Sequence, residues 1–236
     1  MEGTFYGIGV GPGDPELLTL KAMRAIREAD VIIAPKTEKK EGSVALSIAR
    51  PYLKKDVEIV YQVFPMVRNF ADSSEAAWEA NKAEILGFLR AGKNTAFLTI
   101  GDPMFYSTYI YVYRLLAREA IKIETIPGIP AFCAIASHAG YPLVEGDDVF
   151  TVIPATASEQ KVRKALSAAD NVVMMKVYKN FPEVVDLLSE EKLASQAIMV
   201  SRCGLPEEDY MEDIAACRDK KVNYLSTILT RRSLAE

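Results

Sequence analysis

The strongest constraint on this chain is an alternation, through its first half, of short apolar runs with segments whose apolar residues recur at helical spacing. Strands buried on both faces read as continuous apolar runs, and parallel neighbours must be joined by crossovers, so the pattern predicts a mostly parallel sheet covered by helices. Residues 4–10, 31–34, 58–63, 95–100 and 121–126 read as its strands. A helix capped by Asp14, with Pro15 at its first position, is expected to run to about residue 29. A second helix is expected over 74–91, stopped by Gly92, and a third over about 106–119.

The second half is α/β again but more mixed, with strands expected at 149–153, 171–175, 197–201 and 223–229 and helices at 159–167 and 182–188. At 236 residues the chain is long enough for two modest cores. The reading is therefore two α/β domains, 1–123 and 124–236, with Pro127-Gly128-Ile129-Pro130 as the crossing between them.

Several functions are disfavoured at once. No stretch approaches the roughly 20 apolar residues of a membrane-spanning helix, and Glu2 stands where a secretory leader would be basic, so a cytoplasmic protein without membrane contact is expected. Cys133, Cys203 and Cys217 are odd in number and lack C-x-x-C spacing, which predicts buried thiols and neither disulfides nor zinc. His138 is the only histidine, so no multi-histidine metal site is expected. A net charge of −4 without a basic run argues against a nucleic-acid partner.

The densest glycine cluster, Gly7-Ile8-Gly9-Val10-Gly11-Pro12-Gly13-Asp14-Pro15, falls between a strand and a helix. It reads either as a loop that lets a ligand approach the backbone or as a tight turn. The dinucleotide spacing would need a glycine at Pro12, and the second strand ends Ala34-Pro35-Lys36 without the acidic residue that binds ribose, which sets a dehydrogenase aside. Gly101-Asp102-Pro103 follows the strand at 95–100, at the carboxyl edge where open α/β sheets bind ligands.

The string GVGPGDPELLTLKA resembles the N-terminal motif of the tetrapyrrole methylases. The resemblance continues in order through Thr99-Ile100-Gly101-Asp102-Pro103, Ile126-Pro127-Gly128-Ile129, Val173-Met174-Met175-Lys176 and Tyr224-Leu225-Ser226-Thr227. It implies two α/β domains with S-adenosylmethionine in a cleft between them, and a homodimer. Residues 42–46 and 101–108 are most similar to the members that methylate C-20 of precorrin-2 or cobalt-factor II, an activity of corrin synthesis. Methylation at another ring carbon and a non-catalytic tetrapyrrole-binding module are the alternatives.

Carried over by motif, the resemblance places Gly101, Asp102, Met104, Tyr106, Ser107, Thr108, Pro130, Ala131, Met175, Leu225, Ser226 and Thr227 around the cofactor. Pro130 and Ala131 stand where the family often has Thr-Ala or Ser-Ser, which leaves backbone contacts there. Met175 reads equally well as a core methionine. Asp102 is the first candidate for a polar or proton-handling role, against a plain helix cap; Lys176 is the second, as a carboxylate partner or an exposed strand end. An acidic chain must hold a polyanionic ring through a local excess of cations, so some of Lys176, Arg202, Arg231 and Arg232 are expected to converge, with Lys179 a further partner.

Overall fold

The structure, a computed structural model, describes residues 1–36, 42–65 and 75–232. The chain divides into two compact units, Met1–Pro130 and Ala131–Glu236. In the first, β1 (Thr4–Gly9), β2 (Val31–Lys36), β3 (Glu58–Val63), β4 (Thr95–Thr99) and β5 (Lys122–Ile126) form a sheet in the order β3-β2-β4-β1-β5. Every neighbouring pair is parallel. Because β5 pairs with β1 along its length, the boundary expected near residue 123 falls inside a strand of the first sheet, and the chain leaves the unit only after Pro130.

Both faces of this sheet are covered. Phe5, Val31, Ile33 and Phe97 pack against Trp78, Ile85 and Leu89 of α3 (Glu75–Arg90) and Tyr109, Val112 and Leu116 of α4 (Tyr109–Leu116). Ile32, Ala34, Ala96 and Leu98 alternate to the other face and are fully buried; α1 (Leu20–Glu28) and α2 (Val44–Ala49) pack against β1, β2 and β4. Each large apolar side chain taken out of water in this way contributes about 1.5–3 kcal/mol.

Two helix expectations are corrected. The segment after Asp14 is not one helix: Asp14 accepts from the Glu16 amide to cap a single 3-10 turn, Pro15–Leu17, Leu18 is extended, and Thr19 accepts from the Ala22 amide to start α1 afresh. Two caps in succession specify two starts. The third helix begins at Tyr109 instead of 106, because Tyr106 is left-handed (φ 48°) and Ser107 Oγ accepts the Tyr109 amide at 3.1 Å. The long helix is present from Glu75, and residue 74 lies outside the described residues. Sequence periodicity did not mark α2, which Ser43 caps, or α5 (Ala131–Ala139).

The second unit holds α5, β6 (Phe150–Pro154), α6 (Glu159–Ala168), β7 (Asn171–Met175), α7 (Phe181–Glu190), β8 (Ile198–Ser201), β9 (Asp209–Met211) and β10 (Ser226–Arg231). Its sheet runs β6-β7-β10-β8-β9, with β6 and β7 parallel and the remaining pairs antiparallel. The last strand starts three residues later than its apolar pattern suggests. Asn223 Oδ1 accepts the Leu225 amide and the Asn223 carbonyl accepts Ser226 Oγ–H, which makes a turn of the residues before Ser226. Cys203 and Cys217 are buried and Cys133 is only half-buried; burial pushes the Cys203 thiol up to about 11 and keeps it protonated. His138 is exposed on α5, 3.5 Å from Glu208. No described helix is long and apolar enough to cross a membrane.

Candidate functional site

At the carboxyl edge of the first sheet, β1 and β4 run on past their last paired residues. The Val10 amide donates to the Thr99 carbonyl at 2.9 Å, and Gly11 and Gly101 exchange backbone hydrogen bonds. The segment after β5 closes onto the same point. A Cβ at Gly9 would lie 2.5 Å from the Gly101 carbonyl oxygen and 2.6 Å from the Gly128 nitrogen, so Gly9, Gly101 and Gly128 meet backbone to backbone. The space left by Gly7 is filled by the Tyr109 ring. For Gly7 and Gly9 the turn reading therefore holds: protein atoms, and no ligand, occupy the missing side-chain volume.

Gly101 is different. It is left-handed (φ 68°), and a Cβ there would come no nearer than 3.9 Å to other protein atoms, so the requirement for glycine is conformational. Asp102 follows, with Oδ1 accepting the Met104 amide at 2.8 Å and Oδ2 accepting the Gly128 amide at 3.1 Å. Its carboxylate thus braces the loop after β4 against the loop after β5. The helix-cap reading of Asp102 was too local, since one of its two partners is 26 residues away.

The rest of this loop is held from beneath. Ser107 is buried, and its Oγ lies 2.7 Å from Thr99 Oγ1 while accepting the Tyr109 amide. The Tyr109 hydroxyl meets Thr125 Oγ1 at 2.6 Å, and burial raises its pKa. With both ends pinned, Met104 and Tyr106 stand out at 47% and 44% exposure. Thr108, Pro130 and Ala131 are half-buried. Thr99, Tyr109 and Gly128 are the positions missed as site supports in sequence; Thr99 and Gly128 lie within the ordered motifs at 99–103 and 126–129 but carried no assigned role there.

In the second unit, Met175 and Thr227 are directly opposite on β7 and β10, and Ser226 is opposite Ser201 with their hydroxyl oxygens 2.6 Å apart. Leu225 precedes β10, its carbonyl accepting the Arg202 amide at 2.8 Å. Strand directions place the carboxyl ends of β6, β7 and β8 and the amino end of β10 on one edge. Lys176 and Arg202 follow β7 and β8 there, both left-handed (φ 59° and 57°). Burial holds the Lys176 ammonium below its ordinary value.

The four expected cations do not share an edge. Arg231 is opposite Asn171 at the start of β7, with its guanidinium 5.3 Å from the Tyr141 ring centre. Arg232 donates to the Asp170 and Leu166 carbonyls. At roughly 3.3 Å per residue, β10 separates this pair from the Lys176 edge by about 16 Å. Lys179 remains near Lys176, 5.6 Å over the Tyr178 ring.

This frame has close counterparts among known proteins. The model of the Tetrapyrrole (Corrin/Porphyrin) Methylases matches residues 4–215. The chain is 35% identical to the cobalt-precorrin-2 C(20)-methyltransferase of Salmonella typhimurium, over 98% of each chain. It is 33% identical to the precorrin-2 C(20)-methyltransferase of a Sinorhizobium species, over 96% of this chain and 94% of that one. The structure of uroporphyrin-III C-methyltransferase from Thermus thermophilus complexed with S-adenosylhomocysteine aligns with a TM-score of 0.71 at 22% identity, covering 96% of this chain and 97% of that one. At that identity the likeness is one of fold.

Proposed function

Because this chain belongs to the tetrapyrrole methylase family, we propose that it transfers a methyl group from S-adenosylmethionine to C-20 of precorrin-2 or its cobalt-containing counterpart in cobalamin synthesis. The observation that carries the proposal is near-full-length similarity to two C(20)-methyltransferases, one named for each form of the substrate. The protein is proposed to work in the cytoplasm as a homodimer, for which light scattering should report twice 26.1 kDa.

S-adenosylmethionine supplies, when bound, a methyl group already activated on a sulfonium. The loop after β4 suits such a group. Gly101 presents backbone with open space beside it, and the Asp102 carboxylate places a negative charge where a cationic ligand would be welcome. In this reading Gly101, Asp102, Met104, Tyr106, Ser107, Thr108, Pro130, Ala131, Met175, Leu225, Ser226 and Thr227 are the cofactor residues. Asp102 acts by holding the loop, and Ser107 by pinning it to Thr99. Orientation of an attacking carbon against an activated methyl group is worth about 7–11 kcal/mol, so rigid loops are the main thing this chemistry asks of the protein.

Lys176 and Arg202 are proposed to receive ring carboxylates. A carboxylate beside Lys176 would oppose the lowering that burial imposes on its ammonium. Lys176→Ala and Arg202→Ala should raise the KM for the ring substrate by roughly tenfold, the loss of one charge-assisted hydrogen bond. Arg231→Ala and Arg232→Ala, at the opposite sheet edge, should leave KM unchanged and lower the Tm. Steady-state kinetics of the four variants would check this, and equal effects would remove the division.

The direct test is turnover of purified precorrin-2 and cobalt-factor II with S-adenosylmethionine, with the product's methyl position read by carbon NMR. A new methyl at C-20 is expected. Methylation at another carbon would reassign the substrate position, and binding without turnover would favour a non-catalytic module.

A further inference from the structure

The carboxyl edge of the second sheet carries an aromatic pair that the cofactor residues do not account for. After β7, the left-handed Lys176 turns the chain into a 3-10 segment, Val177–Lys179, whose first residue is buried. Tyr178 packs against the core below and meets Tyr224 edge to face, with ring centres 5.1 Å apart at 69°. Tyr224 sits in the turn that Asn223 clamps through both its side chain and its carbonyl. It is 44% exposed. A part-exposed tyrosine in a braced turn, set edge to face with a second ring, is preorganised to offer apolar ring surface.

We propose that Tyr178 and Tyr224, with Lys176 and Lys179 beside them, form a bench for the tetrapyrrole, against which one pyrrole-derived edge of the ring stacks while its carboxylates meet the lysines. The proposal rests on the substrate class of the preceding section and adds the residues that select it. Charge distinguishes the occupant. Two ammonium groups complement a polyanionic ring and disfavour the sulfonium-bearing cofactor. Lys179 Nζ already lies 5.6 Å from the Tyr178 ring centre, a geometry that holds a cation at the rim of the aromatic surface.

The test uses the full chain and uroporphyrin III, a stable, planar polycarboxylated tetrapyrrole, titrated by fluorescence quenching; S-adenosylhomocysteine is titrated in parallel by calorimetry. Tyr224→Leu should weaken uroporphyrin III about tenfold, whereas Tyr224→Phe, which keeps the ring face, should stay within about twofold. Lys179→Met should weaken it by a smaller factor and flatten its dependence on salt. S-adenosylhomocysteine affinity should be unchanged in all three, which also certifies their folding. A parent-like uroporphyrin III affinity in Tyr224→Leu would overturn the bench. So would a selective loss of S-adenosylhomocysteine, which would move the aromatic pair to the cofactor. If the parent itself binds S-adenosylhomocysteine but no tetrapyrrole, the substrate reading falls together with the bench, and that outcome is distinct from the other two.

Discussion

Gly128→Ala is expected to destabilise the first unit by about 3 kcal/mol or more and to abolish tight binding of S-adenosylhomocysteine. The added Cβ would collide with the Gly101 carbonyl oxygen and lie 2.7 Å from the Gly9 carbonyl carbon. All of these neighbours are backbone, on loops fixed by β1, β4 and β5, so no side-chain rotation can relieve the overlap. Relief requires moving the loop after β5 away from the loop after β4, which also breaks the 3.1 Å bond from the Gly128 amide to Asp102. Urea unfolding and calorimetric titration measure the two effects. Gly42→Ala, where a Cβ would meet nothing within 4 Å, is the control and should change neither. A Gly128→Ala protein with parental stability would show that the three-loop contact is loose.

Replacing Asp102 should have the second largest effect, and its form separates a brace from a proton carrier. Asp102→Asn keeps one oxygen acceptor, but its amide nitrogen cannot accept the other backbone N–H. One bond to a charged acceptor is worth about 1.5–3 kcal/mol, so cofactor affinity should fall about tenfold or more while kcat stays within about threefold of the parent. Asp102→Ala orphans both the Met104 and Gly128 amides and should fall further still. A proton carrier would behave the other way: Asn would cut kcat by orders of magnitude and leave S-adenosylhomocysteine binding intact. Single-turnover rates beside calorimetric affinities decide between them.

The strands of the first unit were legible because each buried strand writes its own apolar run, as 31–34 and 95–99 do; β2 continues through Pro35 to Lys36 beyond the end its apolar run suggests, whereas Gly92 is a local stop. Gly92 ends α3 with a left-handed turn (φ 80°), the conformation its lack of a side chain permits. Helix starts were less legible. Asp14 and Thr19 carry equally good caps five residues apart, and only the backbone shows that both are used. The left-handed Tyr106, which delays α4, is a conformation that few tyrosines adopt and no composition announces.

The sequence by itself determined the two α/β halves, the carboxyl-edge position of Gly101 and Asp102, and, through long ordered motifs, the family. These depend on neighbours within a few residues or on strings too long to arise twice. Tertiary structure alone decided what each candidate touches. Asp102 became a brace because Gly128, from another loop, brings its amide to the free oxygen. Gly7 and Gly9 proved structural because Tyr109 and the Gly101 and Gly128 backbones fill the space beside them. Lys176 and Arg202 parted from Arg231 and Arg232 because β10 runs antiparallel to both β7 and β8, which carries its last residues to the far edge. Strand direction and the occupant of a missing side chain are properties of distant pairs, and a local pattern carries no record of them.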